Sequence, residues 1–529
     1  MAHLPKASSA PSSRHVDQII LVSGVILLIV VLNDIWQTTL PTLQDYPNHL
    51  ARAFIRENYE HVPFAEIFAV SWPLIPNLGF DVWMAFALQF TEVSSAGKIF
   101  LSLIVATTIS GVYALNYAIF GRLSPACLLV GVLIWNRAFW FGFLGFSLGT
   151  GLVLLFLAGW VFVCRHAALP KLALGIALSA VLFLTHLYAL ALFLFFAFAL
   201  DAAAPLMGLV RGWRDGWGVW RSSIVQIVGK ALIYGGIALP SIIVLAFVSP
   251  TAGEGGLYDL ASQIKATLLD PPFAVKFDQL FWSIGETSRV LAWMTFWVTV
   301  AVLAVQFFRP AAHSAIDGGI DRAIVLLAFA FIAFVGYFTL PLVMLGSANA
   351  DWRLLPPLLL VVAAVLPPSR QPSAAVIASA AIATAAMFSL SSNRALLEEG
   401  DRDFAAMNEV AEDLAPGSRV LGALPCQDYA TLEWAPYRHH LPTMLVVSHF
   451  ALYPHLFARE RHQPLAYREP DMDLGPKALD AKRLAVAPAS FDYLISMDAV
   501  LAEDPTCAAL AGWQRLRQSG NFTLYARER

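Results

Sequence analysis

The chain has 529 residues, 58% of them hydrophobic and 13% charged, with a mean hydropathy of +0.65. Soluble globular proteins carry about 25% charged residues, so an ordinary soluble fold is excluded and a polytopic membrane protein is indicated. The formal net charge of −3 says little by itself, because charge here matters by location; no nucleic-acid partner is expected.

Residues 1–15 are rich in Ser, Pro and Ala and read as a disordered cytoplasmic arm. The first apolar run, Val16 to Trp36, is long enough to span a bilayer and follows Lys6 and Arg14, so it reads as a retained anchor, not a cleaved signal. A mixed stretch, 38–97, follows as the first outer loop. Within it, Ser71–Gly79 holds too many chain breakers for a span, and Asp81–Phe90 reads as a short amphipathic helix. Further spans are expected near 98–120, 124–141, 143–164, 171–186, 188–205, 224–248, 289–308, 321–343, 353–367 and 373–391, which makes about eleven. The segment 171–205 also reads as one long helix, which would flip the topology after it. Loop charges favour the pair. With the N-terminus inside, Arg122, Arg165, Arg211, Arg214, Arg309 and Arg370 fall on the cytoplasmic side. The acidic loop 249–288 then lies outside, as does everything after about Asn393.

That tail, 394–529, is charged and punctuated by proline. Glu398–Leu414 reads as a helix, Ser418–Leu424 and Phe491–Ser496 as strands, and Trp513–Leu516 with Phe522–Arg527 as a hairpin about Ser519-Gly520-Asn521. The expected fold class is therefore a polytopic α-helical membrane protein, with a transmembrane domain over 16–393 and a C-terminal extracytoplasmic α/β domain over 394–529. Cys127 and Cys164 read as packing residues in spans. Cys426 and Cys507 lie in the tail, where pairing is open to them if it is outside the cytoplasm.

The polar residues collect at one end of this arrangement. Pro47 suits the first turn of a helix. From there Asp45, His49, Arg52 and Arg56 fall at i, i+4, i+7 and i+11, along one face. Asn136 and Arg137, then Thr185, His186 and Tyr188, then Asp351 and Arg353, fall at the same outer side. Charged groups at membrane depth are costly unless paired or facing a cavity, which makes each a functional candidate. Arg137 and Arg353 adjoin long apolar runs, and the planar guanidinium suits phosphate oxygens. Each residue also has a plainer reading. Asp45 would cap the helix, His49 and His186 would bond nearby groups, and Arg52 and Arg56 would reach lipid headgroups. The run Phe139–Phe146, aromatic and glycine-rich, reads either as an interface belt with close helix packing or as a groove for a lipid chain. Asp471-Met472-Asp473 is a pattern common by chance. His439, His440, His449 and His455 lack metal spacing. Asn521-Phe522-Thr523 fits the glycosylation sequon, which matters only in a glycosylating cell. No motif implies a cofactor; a divalent cation is the one left open.

Taken together, the single first span, the large outer loop with an acid at its start, the many spans and the outer α/β tail resemble the GT-C class of glycosyltransferases. The segment Gln44-Asp45-Tyr46-Pro47-Asn48-His49-Leu50-Ala51-Arg52 resembles the corresponding loop of bacterial members. The Asp-Glu pair that follows the first span in protein mannosyltransferases is absent here. The resemblance implies an inner-membrane enzyme that moves a sugar from a polyprenyl-phosphate carrier to a glycan, lipid or protein acceptor. Asp45 would be the base, with His49 orienting it or sharing the proton. Arg52, Arg56, Arg137, His186, Asp351 and Arg353 would bind substrate and phosphate. The missing nucleotide-binding loops agree with a lipid-phosphate donor. A transporter or flippase would show internal repeats and charged mid-span residues, and neither is evident from the sequence. A non-catalytic scaffold for envelope assembly is the third reading.

Overall fold

A helix of 39 residues near the C-terminal end, Pro372–Val410, ties the two parts of the protein together. At 1.5 Å per residue it is about 58 Å long, nearly twice a hydrocarbon core of about 30 Å. Its first half packs in an apolar bundle and its last turns carry a sheet. The computed structural model describes residues 11–164, 166–248, 273–282, 297, 318–340, 343–344, 347–369, 371–423, 438, 440–460, 462–475, 490–497 and 512–528.

In chain order, α1 (Pro11–Gln37) leads into α2 (Tyr46–Glu57), the single turn α3 (Phe64–Ile67), β1 (Phe68–Val70) and α4 (Gly79–Ala87). The bundle continues with α5 (Val93–Phe120), short turns α6 (Val130–Leu133) and α7 (Arg137–Trp140), then α8 (Leu144–Val163), α9 (Ala168–Thr185), α10 (Leu187–Asp215) and α11 (Trp217–Ile243). Next come α12 (Phe273–Trp282), α13 (Gly319–Tyr337), the two-residue strands β2 (Val343–Met344) and β3 (Ser347–Ala348), α14 (Leu355–Val365) and the long α15 (Pro372–Val410). Among the described residues, eight helices are long and apolar enough to cross a membrane: those in 14–37, 93–120, 144–163, 168–185, 187–212, 217–247, 319–337 and 372–410.

Two expected spans are shorter than a crossing. The 124–141 segment is a 3-10 turn, Pro125–Leu129, followed by α6 and α7. It breaks at Asn136, whose side chain turns back to accept from the Phe139 N–H at 3.2 Å and start a new helix. The 353–367 segment is an apolar stretch, Trp352–Val365, carrying Pro356 and Pro357 in its first turn. The span expected at 289–308 lies outside the described residues, apart from residue 297. The 171–205 ambiguity resolves as two helices, because His186 adopts an extended conformation (φ −171°) between α9 and α10.

After α15 the chain forms β4 (Val420–Ala423), the short helix α16 (Leu445–His449), β5 (Leu465–Tyr467), β6 (Tyr493–Met497) and the hairpin β7 (Trp513–Ser519)–β8 (Phe522–Arg527). The four-stranded sheet has the order β4-β6-β8-β7, with β4 and β6 parallel and the other pairs antiparallel. Each expected strand is present within a residue or two, and the hairpin's β7 runs on to Ser519. The helix expected at Glu398–Leu414 is the end of α15, so the expected boundary at 393/394 falls inside a continuous helix. Asp403 on that helix accepts from Asn521 at 2.9 Å and from Arg438 at 2.7 Å, fixing the hairpin to it. The sequon asparagine is thus engaged in packing, and Thr523 beside it is buried.

The tail is also sewn to the first loop. β1 pairs antiparallel with β5, Ala69 opposite Ala466, and α2 packs on the Leu441–Met444 turn and α16. Cys127 and Cys164 carry free thiols. Cys426 and Cys507 lie outside the described residues.

Candidate active site

Asp45 stands at the N-cap of α2, yet its side chain makes no capping bond. The carboxylate is therefore directed elsewhere. Its backbone is clamped instead to the aromatic segment between α7 and α8: Gln44 N–H donates to the Trp140 carbonyl at 2.9 Å and Asp45 N–H to that of Phe141 at 3.2 Å. Gly142 makes this approach feasible. It has φ +72°, and a Cβ there would lie 2.8 Å from the Asp45 nitrogen. The Asp45 side chain is 14% exposed. Burial pushes its pKa up to about 7, against the opposing effect of the nearby Arg353 guanidinium. A carboxyl with that affinity exchanges protons near neutrality.

The aromatic run forms a bed for two guanidiniums. Arg353 lies 3.7 Å over the Phe143 ring. Arg137 lies 5.1 Å from the ring centres of both Phe141 and Trp352. Trp352 itself stacks on Phe143 at 5.7 Å and 21°. Each cation gains from the negative ring face. Phe139 and Phe146 also line an adjoining small cavity of about 10 Å³, between α5, α8 and α14, with Thr108, Asn136, Ser147 and Thr150 in its wall.

His186 adds a third donor. Its Nδ1 accepts from the Tyr188 N–H at 3.1 Å, which puts the proton of the neutral ring on Nε2. Burial, and secondarily the Arg353 charge, lowers its pKa to about 3, so the ring is neutral. Nε2 is 3.5 Å from Arg353 NH1. Two N–H donors side by side, one of them cationic, suit an anionic oxygen shared between them. Tyr188 Oη donates to the Ala350 carbonyl at 2.6 Å and so holds the Asp351–Arg353 turn against α10.

Asp351 is fully buried, and Lys276 Nζ is 3.7 Å from its Oδ2. Lys276 also donates to the carbonyls of Tyr337 and Leu340 at 3.2 and 2.5 Å. Sequence reasoning missed Lys276: it lies in the 249–288 segment, which attracted notice for its acids.

The other half of the α2 face does something different. Arg52 makes a two-pronged ion pair with Asp81 of α4, at 3.0 and 2.7 Å, and also donates to Gln463. Arg56 NH1 is 3.5 Å from the same carboxylate, and its guanidinium lies 4.8 Å from the Trp72 ring. Both arginines, expected to face phosphate, are turned to Asp81 inside the protein. His49 is wedged between Phe80 and Phe457, at 5.5 and 5.4 Å, with its pKa held well below the usual value by burial. The imidazole beside Asp45 is that of His440, from the tail, with Nε2 3.6 Å from Asp45 Oδ1. No signal in the sequence marks His440, because its partners are about 390 residues away.

Among the described residues, no group of three or more His, Cys, Asp or Glu side chains gathers as a metal site would. Asp471 and Asp473 are exposed. Three charges also meet between helices of the bundle, and of these Asp201 was not marked by the sequence. Asp201 of α10 accepts from Lys171 of α9 at 2.7 Å and from Lys230 of α11 at 2.6 Å. Their charges are met locally, and the triad staples three helices.

Two solved structures are similar over nearly the whole length. One is described as ArnT from Cupriavidus metallidurans bound to undecaprenyl phosphate: 11% identity, 98% of this chain, 98% of that chain, TM-score 0.47. The other is ArnT from the same organism in the apo state: 12% identity, 95% and 97% coverage, TM-score 0.48. No protein-family model matches the sequence, and no curated protein does.

Proposed function

We propose that this protein is a membrane glycosyltransferase that moves a hexose or pentose from a polyprenyl-phosphate carrier to an envelope glycan, lipid or protein acceptor. The observation that carries this reading is the juxtaposition of Asp45 with Arg353 and His186. A carboxyl that titrates near neutrality lies beside paired N–H donors seated on aromatic rings. The acceptor hydroxyl attacks the anomeric carbon while the bond from that carbon to the phosphate oxygen breaks. The electron pair leaves with the lipid phosphate and the hydroxyl proton passes to Asp45. Arg353 and His186 meet the charge that develops on the departing oxygen, with Arg137 beside them; charge stabilisation of this kind is commonly the largest catalytic contribution. Asp351 and Lys276 hold the turn that presents Arg353.

The loop charges support an N-terminus on the cytoplasmic side of the inner membrane, with this end of the bundle and the tail domain on the outer side. Transfer from a labelled polyprenyl-phosphate hexose or pentose in vesicles tests the reading. Asp45→Asn should lower the rate by about 10²–10⁴, and transfer unchanged by Asp45→Asn removes Asp45 as base. Movement of the lipid-linked sugar across the vesicle membrane, with no covalent product, would instead identify a flippase.

A further inference from the structure

The tail reaches into the Asp45 site through one side chain, and a chain of hydrogen bonds fixes that side chain's protonation. Asn48, three residues after Asp45, is pinned at both ends of its amide. Its Oδ1 accepts from the Phe457 N–H at 2.7 Å, and its Nδ2 donates to the His455 carbonyl at 3.0 Å. The amide cannot flip without losing both bonds, so the atom it presents to His440 is Nδ2, at 3.2 Å from His440 Nδ1. An amide nitrogen only donates. His440 Nδ1 is therefore the acceptor, and the proton of the neutral ring sits on Nε2, the atom 3.6 Å from Asp45 Oδ1. The ring is buried and held edge-on against Phe457 at 5.1 Å.

We infer that His440 is the positioning residue for Asp45: a neutral imidazole whose Nε2–H, fixed by Asn48, aims the carboxylate at the acceptor hydroxyl. This rests on the reading of Asp45 as base. With its Nδ1 lone pair engaged by the Asn48 N–H, the ring is a poor acceptor for a further proton. The proton that Asp45 collects stays on Asp45, and His440 aims without relaying. The Nε2–Oδ1 separation is 3.6 Å, and catalytic contacts of this length commonly tighten in the complex with substrate. A consequence concerns assembly. Asn48, His455 and Phe457 join the first loop to the tail, so docking of the tail and completion of the base are one event.

Among the described residues, the groups that face this pair from neighbouring elements include Arg353, which favours ionised Asp45, and His49, which is close to His440 and held neutral by burial. Both stay unaltered in the test. In the full-length protein in lipid nanodiscs, infrared titration reads the carbonyl band of protonated Asp45, assigned as the band lost in Asp45→Asn. His440→Leu removes the donor and should raise the Asp45 midpoint by at least half a pH unit, with about a tenfold fall in kcat and little change in KM. His440→Gln keeps an N–H at the same reach and should restore both within about twofold. Ring nitrogen NMR on the wild type should show the Nε2–H tautomer of His440 from about pH 5 to 8. An Nδ1–H tautomer or an imidazolium in that range overturns the inference. So does an unchanged midpoint and rate in a folded His440→Leu protein that transfers sugar in an Asp45-dependent way. If no polyprenyl-phosphate sugar is transferred while the midpoint and tautomer behave as stated, the coupling stands and the enzymatic reading fails.

Discussion

Arg52 and Asp81 form a two-pronged ion pair from which water is excluded, their side chains 3% and 1% exposed. Breaking a buried pair by removing one partner strands a charge and costs about 3–5 kcal/mol, whereas replacing both with apolar groups costs little. Arg52→Met and Asp81→Leu should each lower the thermal midpoint in detergent sharply, and the double variant should recover only part of it, because Arg56 then loses the carboxylate it shares with Arg52. If Arg52→Met leaves the midpoint unchanged, the pair does not hold α2 to α4.

The proton balance at Asp45 sets a pH dependence. Its folded pKa of about 7 lies above the ordinary carboxyl value. The ionised form is the base, so kcat/KM for sugar transfer should rise with pH through about 7 and level off above it. Arg353 favours the ionised form, so Arg353→Gln should move this limb to higher pH. A limb that stays near the ordinary carboxyl pKa would show that burial does not govern Asp45.

Gly142 is the hinge of the clamp on Asp45. An alanine there meets the Asp45 backbone at 2.8 Å and must hold φ +72°, a left-handed conformation that costs about 1–2 kcal/mol for an L-residue. Gly142→Ala should reduce transfer at least tenfold by displacing Asp45, with a smaller loss of stability. Transfer at the wild-type rate would mean the loop relaxes without moving the carboxylate.

Arg353 works through shape as well as charge. Its planar fork lies on Phe143 and points an N–H toward the space shared with His186. Lysine keeps the charge and loses the stacked fork. Arg353→Lys should weaken polyprenyl-phosphate binding in nanodiscs about tenfold, equivalent to about 1.4 kcal/mol. Equal affinity would point to a simple charge requirement.

The Lys171–Asp201–Lys230 triad separates structure from chemistry. Asp201→Asn leaves two ammonium groups facing each other in the bundle and should cost about 3–5 kcal/mol. Protein that survives in native lipid should transfer sugar at the wild-type rate, measured per folded molecule. A selective loss of transfer without loss of stability would bring the triad into the mechanism.

The sequence by itself determined the apolar bundle, the pairing of helices about His186, the sheet of the tail and the gathering of Asp45, Arg137, His186, Asp351 and Arg353 at one end. These follow from local signals: run length, loop charge, strand alternation and the cost of a charge near lipid. The spacing of α2 also placed Asp45, His49, Arg52 and Arg56 on one face, as found. Only the tertiary structure decided what that face meets. Asp81 takes the two arginines, and Phe80 and Phe457 take His49. His440, from some 390 residues away, takes the place beside Asp45. The segments 124–141 and 353–367 keep their expected bounds to within two residues, as Pro125–Trp140 and Trp352–Val365, but apolar content does not reveal that the first of them breaks at Asn136, which caps the next turn. Periodicity constrains which way a side chain points along its own element. Which partner waits there depends on how distant segments pack, and a salt bridge, a ring stack or a tautomer exists only once both partners are in place.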